Sequence, residues 1–286
     1  MVRFLLKGVL RDKIRSLLSL VVILLGVMFA VLMVGLMAGI FNDFIRANAM
    51  LETGHVKIMT RSYEELSDMS PNDLAIIGVD SLIRDLENQF PDVIWTPRIK
   101  IGGLLDVPDE NGETREQSPV FGLGIDILSA GSRQADLIGI SKNIVSGRMP
   151  EAPDEALLSD DFARKLKVGL GETVTYFGAT MWGSITTYNF KVSGTVKFGI
   201  PLLDRGSMIV DITGAQAALD MDDAASEVLG IFDDGLYYDD RSAEIKSDFV
   251  SNQGNGKFSL VMKQLRDQND IGLMMDRADI YISFMV

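Results

Sequence analysis

Residues 17–41 form an unbroken apolar run that constrains this chain more than any other feature. In 25 residues the run holds one polar side chain, Ser19, three glycines and no charge. A bilayer core of ~30 Å needs ~20 helical residues at ~1.5 Å of rise each. The run is therefore predicted to cross a membrane once as a helix, with its spare length taken up by tilt. A buried core helix would carry a polar stripe, and none is present. A cleaved signal peptide usually has an apolar stretch of ~7–15 residues, and this one is much longer, although Ala47-Asn48-Ala49 imitates a small-x-small cleavage site.

Charge is segregated about that run. Residues 1–16 hold Arg3, Lys7, Arg11, Lys13 and Arg15 against Asp12 alone, while the whole chain carries −13, so residues 17–286 carry −17. The basic flank predicts a cytoplasmic N-terminus, with everything after about residue 42 on the other side. Arg3, Lys7, Arg11 and Arg15 recur every four residues. They make either an interfacial helix on the anionic leaflet or simple topology charges. Such an acidic body does not bind nucleic acid by neutralising phosphates. The chain has no cysteine, so neither disulfides nor thiolate chemistry is available. Gly35 and Gly39 form a G-x-x-x-G, whose small residues let helix backbones approach, and they are the candidate helix-packing positions.

Residues 42–275 contain no second run of spanning length. Short β-rich segments alternate with polar helices, which predicts an α+β outer domain of two subdomains. His55–Met59 alternates in the manner of a strand. Asp80–Phe90 reads as a helix stopped by Pro91. Val93–Leu105 reads as a strand, with Pro97 at an edge or bulge. Strands are expected at 155–158, 173–177, 188–196 and 208–210, and helices at 159–166, capped by Ser159 and closed by the glycines after it, and at 213–219. Met221–Ala243 is rich in aspartate and reads as a solvated loop. It lacks the register of a calcium loop. The connector 42–52 sets Phe44, Ile45 and Met50 against Asp43, Arg46 and Asn48. With no glycine or proline before Gly54, it predicts one helix from about Lys13 to Met50.

Catalytic chemistry is not legible, and no cofactor is predicted. The single histidine, His55, has no serine in a G-x-S-x-G to serve, H-E-x-x-H is absent, and Gly254-Asn255-Gly256-Lys257 lacks the rest of a phosphate loop.

The order of basic N-terminus, one span and α+β outer domain resembles the MacB/FtsX type of ABC transporter permease, including the lipoprotein-releasing permeases. The resemblance lies in Gly147-Arg148-Met149-Pro150, Glu155-Ala156-Leu157-Leu158, Ala163-Arg164-Lys165-Leu166-Lys167-Val168-Gly169 and Gly171-Glu172-Thr173-Val174. Phe190–Val196 and Ile209–Leu219 are similar to the strand and the strand–helix that follow in that family, and Thr53-Gly54-His55-Val56 to the region past its first span. The resemblance implies a MacB-like periplasmic core domain over 42–275, a cytoplasmic segment 1–16 and a bacterial inner-membrane location. It implies that 276–286 open a second, incomplete span. It also implies that the chain is not itself an enzyme. A separate cytoplasmic ATPase would drive it, a second permease subunit and membrane lipid would surround it, and a periplasmic carrier or lipoprotein would be handled outside. The apolar loop Phe177–Ile185, with Phe177, Met181, Trp182 and Ile185, is the candidate contact surface. Its alternative is a hairpin tip packed on its own domain. A membrane-anchored adaptor or binding domain without transport is the competing function; an anchored hydrolase lacks a nucleophile–base set.

Overall fold

A computed structural model describes residues 13–250, 256, 258–268 and 271–277. The basic residues before Lys13 and the apolar tail after Arg277 lie outside the described residues, so the expected interfacial helix and second span do too. The chain divides into two compact units, 1–47 and 48–286.

The described part of the first unit is all in helix α1, Lys13–Asn48, whose last residue opens the second unit. From Leu17 to Ile40 most of its large apolar side chains lie exposed, and the helix is long and apolar enough to cross a membrane. At ~1.5 Å per residue its 36 residues extend about 54 Å, well beyond a hydrocarbon core of ~30 Å. Asn48 keeps right-handed helical angles and leads into one π-helical turn, Ala49–Thr53.

In the second unit the chain runs through β1 (Val56–Thr60), β2 (Ile76–Ile77), α2 (Val79–Gln89), β3 (Val93–Pro108), β4 (Thr114–Ile125), β5 (Ile144–Gly147), β6 (Glu155–Ser159), α3 (Asp160–Leu166), β7 (Thr173–Ala179), β8 (Ile185–Val196), β9 (Ser207–Asp211), α4 (Ile212–Leu219), β10 (Ala224–Ala225), β11 (Glu227–Phe232), α5 (Asp239–Val250) and β12 (Leu260–Gln264). Ten strands form one sheet in the order β12-β1-β11-β3-β4-β9-β6-β8-β5, with β7 joining both β3 and β8. That last pairing closes a ring of six strands, β3-β4-β9-β6-β8-β7. Beyond the ring, β11, β1 and β12 continue as an open sheet from the first half of β3.

Strand alternation builds the ring. In β4, Ser118, Val120, Gly122 and Gly124 are buried, whereas Gln117, Pro119 and Phe121 are exposed. The inward set meets Leu105, Val174, Tyr176, Phe190, Val192, Leu158 and Val210 in one apolar core, with Ala215 and Leu219 of α4 packed against it. The ring closes at Gly103, where a Cβ would overlap the Phe177 carbonyl and the Tyr176 ring. Only glycine admits that approach. Outside the ring a smaller cluster of Ile125, Ile140, Leu157, Val196 and Ile209 covers the reverse face of β6 and β9.

One sheet runs through both ends of the outer domain. β3 is 16 residues long and belongs to both, so no break in hydrogen bonding separates them. Pro97 sits in the half of β3 paired with β11 and before the pairing with β4 begins, a position with no second ladder for its missing N–H. The aspartate-rich stretch 221–243 is not a solvated loop: it contains β11, buried at all six positions, and the first turn of α5. Ser159 precedes α3, but its Oγ donates to the Asp204 carbonyl at 2.9 Å instead of capping. The left-handed residue closing α3 is Lys167, not a glycine.

Candidate functional site

The helical backbone that begins in α1 ends at a buried cation. Carbonyls of a last helical turn lack intrahelical donors. Here Arg98 of β3, 1% exposed, supplies them: Nη2 donates to the Met50 carbonyl at 2.7 Å and Nη1 to that of Leu51. Gln268 Nε2 donates to the Thr53 carbonyl at 3.2 Å. A cation is also favoured at the negative end of a helix dipole. Gly54 then turns the chain at φ +62°, where a Cβ would meet the Val56 carbonyl at 2.5 Å. His55 N–H donates to Gly230 of β11 at 2.8 Å, starting the β1 ladder. Burial pulls the Arg98 guanidinium down to about 10, against the opposing fields of Glu227 and Glu52, so it remains charged at neutral pH.

Register places the rest of the cluster. Glu227 of β11 lies directly opposite Arg98 of β3. Lys57 of β1 lies opposite Leu229, hence diagonal to Glu227 on the same face. Lys57 Nζ is 3.1 Å from the Glu227 carboxylate, with both side chains nearly inaccessible; Lys100 Nζ is 3.8 Å from Glu227 and 3.5 Å from Glu52. Burial lowers Lys57, and Glu227 opposes that shift. For Lys100 burial also pulls downward, but Glu227, Tyr63 and Glu52 together outweigh it and raise it. Tyr63 is pushed up to about 12 by burial and then by Glu227. Lys57, Lys100 and Glu227 line a cleft of about 470 Å³ with Glu64, Ser70 and Lys263.

None of these residues stood out in the sequence. Lys57 fell within a strand expected from alternation and Arg98 within the strand expected over Val93–Leu105, and neither was singled out. Alternation puts Arg98 on the face of Thr96 and Lys100, which gives no sign of its burial. His55 is buried, and its Nδ1 accepts from the Phe232 N–H at 3.0 Å.

The loop singled out by sequence is the tip of the β7–β8 hairpin, and the structure separates its four residues. Met181 is buried and its N–H donates to the Leu219 carbonyl at 2.8 Å. Trp182 is 67% and Ile185 89% exposed. Phe177 is half-buried and pairs with Leu104 of β3. Met181 and Trp182 line a second cleft, about 690 Å³, with Met69, Asn72, Tyr176 and Thr180. The tip is thus packed on its own domain through Met181 and open through Trp182 and Ile185. Gly35 and Gly39 lie on α1 with open space about them. Among the described residues no three His, Asp or Glu side chains converge as metal ligands.

A family model for the MacB-like periplasmic core domain matches residues 16–248. The chain belongs to this family. Its fold resembles the periplasmic region of MacB from Actinobacillus actinomycetemcomitans, with 12% identity and a TM-score of 0.52 over 80% of this chain and 97% of that one. The extracellular domain of the noncanonic ABC-type transporter YknZ from Gram-positive bacteria is also similar, with 13% identity and a TM-score of 0.47 over 73% and 99%. A comparison with curated proteins found no match. The expected fold class, an N-terminal apolar helix before a mixed α/β MacB-like domain, is borne out. An apolar helix ahead of a MacB-like domain is the layout of a membrane-anchored protein with an extracytoplasmic domain, and the family is that of ABC transporter components.

Proposed function

We propose that this chain is the permease subunit, or part of one, of a MacB/FtsX-type ABC transporter, and that it carries ATP-driven motion from the cytoplasm to its outer domain for lipoprotein release or efflux. It sits in the bacterial inner membrane with its N-terminus in the cytoplasm. A separate cytoplasmic ATPase hydrolyses ATP, and a second permease subunit pairs with it, with Gly35 and Gly39 as packing positions against a neighbouring span. Trp182 and Ile185 at the hairpin tip are the contact surface for a periplasmic carrier or lipoprotein, Phe177 flanks them, and Met181 anchors the tip from below.

The observation that carries the reading is the helix end. Motion can pass along a helix only if its far end is held by something stiff. The terminal carbonyls of Met50, Leu51 and Thr53 are each held by a side chain of the β-sheet unit, and Arg98 is rooted in the strand shared by the open sheet and the ring. A binding domain anchored merely for location has no use for such a joint.

The test reconstitutes the chain with its cytoplasmic ATPase in nanodiscs. Insertion of Gly-Gly after Asn48 should leave basal ATPase activity intact and abolish its stimulation by substrate, along with substrate release. Unimpaired stimulation would remove the lever and favour an anchored adaptor.

A further inference from the structure

We infer that the π-turn Ala49–Thr53 is one of two registers open to this segment, and that Arg98 selects between them. This rests on the lever reading for its purpose but not for its geometry. In an α-helical continuation, the Gly54 N–H would bond to the Met50 carbonyl, four residues back. Instead it donates to the Ala49 carbonyl, five back, at 2.9 Å. The Met50 carbonyl is occupied by Arg98 Nη2 at 2.7 Å. The Leu51 carbonyl, which the His55 N–H would take in an α-helix, is held by Arg98 Nη1, and His55 N–H has gone to Gly230 of the sheet. One buried guanidinium thus competes for both acceptors that the α register uses. Charge-assisted bonds in a dry site are strong enough to do so.

The present register also leaves capacity unused. Arg98 Nε and Thr53 Oγ1 are buried without a hydrogen-bond partner among the described residues. Buried polar atoms are seldom left so, and both belong to the joint. A π-turn amounts to one residue more than the α-helix needs, and such turns recur at functional positions. Passing from π to α with the residue kept turns the preceding helix by ~100° about its axis and moves it outward by ~1.5 Å, a discrete step of the kind that couples distant sites. Arg98 is therefore a positioning residue, and its release is the event that lets the joint step.

The chain has no cysteine, so spin labels go only where cysteines are introduced. The full chain in nanodiscs, with Ala47→Cys and Thr187→Cys labelled, is measured by pulsed electron resonance with Arg98, Arg98→Lys and Arg98→Met. Arg98 and Arg98→Lys should share one main distance. Arg98→Met should add a population displaced by roughly 8 Å, the chord a side chain sweeps in ~100°, with an unchanged near-ultraviolet circular dichroism spectrum. A distribution unaltered by Arg98→Met in a folded chain overturns the inference. If Arg98→Met does not fold, Arg98→Gln decides, since its shorter amide cannot hold both carbonyls. That variant should fold and add the displaced population; failure to fold, or retention of the original distance alone, overturns the inference. No ATPase enters this experiment, so its failure would leave a lever with a rigid joint, whereas failure of the Gly-Gly insertion test removes the lever itself.

Discussion

The two ends of the outer domain solve strand burial in opposite ways. In the closed ring every strand has two neighbours, and the interior is filled by side chains such as Phe190, Val192 and Leu158 with few polar needs. In the open sheet, β1 and β11 are buried on both faces, yet they carry Lys57 and Glu227 inward, beside Arg98. Closure removes sheet edges and makes a stiff body. Buried ions do not add much net stability, because desolvation offsets their attraction. On the proposed lever reading their use is to fix a geometry, with Arg98 holding the end of the helical turn, and the ring is the load and the open sheet the grip.

The largest expected effect is in the ring. Phe190→Ala empties a fully buried site and should cost about 4 kcal/mol in urea unfolding. Glu227→Ala should cost about 3 kcal/mol by leaving Lys57 charged and alone. The comparison sharpens with the double variant Lys57→Met, Glu227→Leu: if the pair serves geometry more than stability, unfolding should return to within about 1 kcal/mol of wild type. A double variant as unstable as Glu227→Ala would break the contrast between grip and load. At the hairpin tip, Met181→Ala should cost about 2 kcal/mol and Trp182→Ala less than about 0.5 kcal/mol. Equal losses in thermal unfolding would mean that the tip is all core and has no free surface.

The smallest effect is a pH slope in the ring. The hydrogen bond from Arg148 holds the Glu155 carboxylate below its usual range, against a weaker opposing burial. A carboxylate with a lowered folded pKa adds stability that is complete above its unfolded value of about 4.3 and is lost as pH falls through the lower folded value. Glu155→Gln should therefore flatten that part of the acid limb when urea midpoints are plotted against pH. An unchanged limb would assign acid sensitivity to carboxylates elsewhere.

Most of the ring could be read in advance. Phe190–Val196 alternates and Met208–Val210 is uniformly apolar, and local periodicity of that kind reports directly on strands. The resemblance in 147–219 falls mostly on ring strands β6, β7, β8 and β9 and on α3 and α4, with Gly147–Pro150 at the end of β5 and in the turn after it. The open sheet was harder. The aspartates flanking β11 suggested a loop, because Asp222, Asp223, Asp233 and Asp234 hide a short strand whose burial is set by its neighbours. The strand holding Lys57 was read from alternation, which shows a change of face but cannot show that both faces are covered. The site suffered most: Arg98, Glu227 and the Met50 carbonyl come from three distant segments.

Sequence by itself determined that a helix of spanning length precedes an acidic α+β domain of the MacB-like type. A 25-residue run without charge and the periods of 3.6 and 2 are local properties, and they survive whatever the tertiary structure does. Only the tertiary structure decided that β7 closes a ring, that one sheet runs through the whole outer domain, and that a guanidinium in β3 holds the helix end. Those outcomes depend on pairings across tens of residues, and on a buried charge whose meaning is set entirely by the carbonyls folded against it.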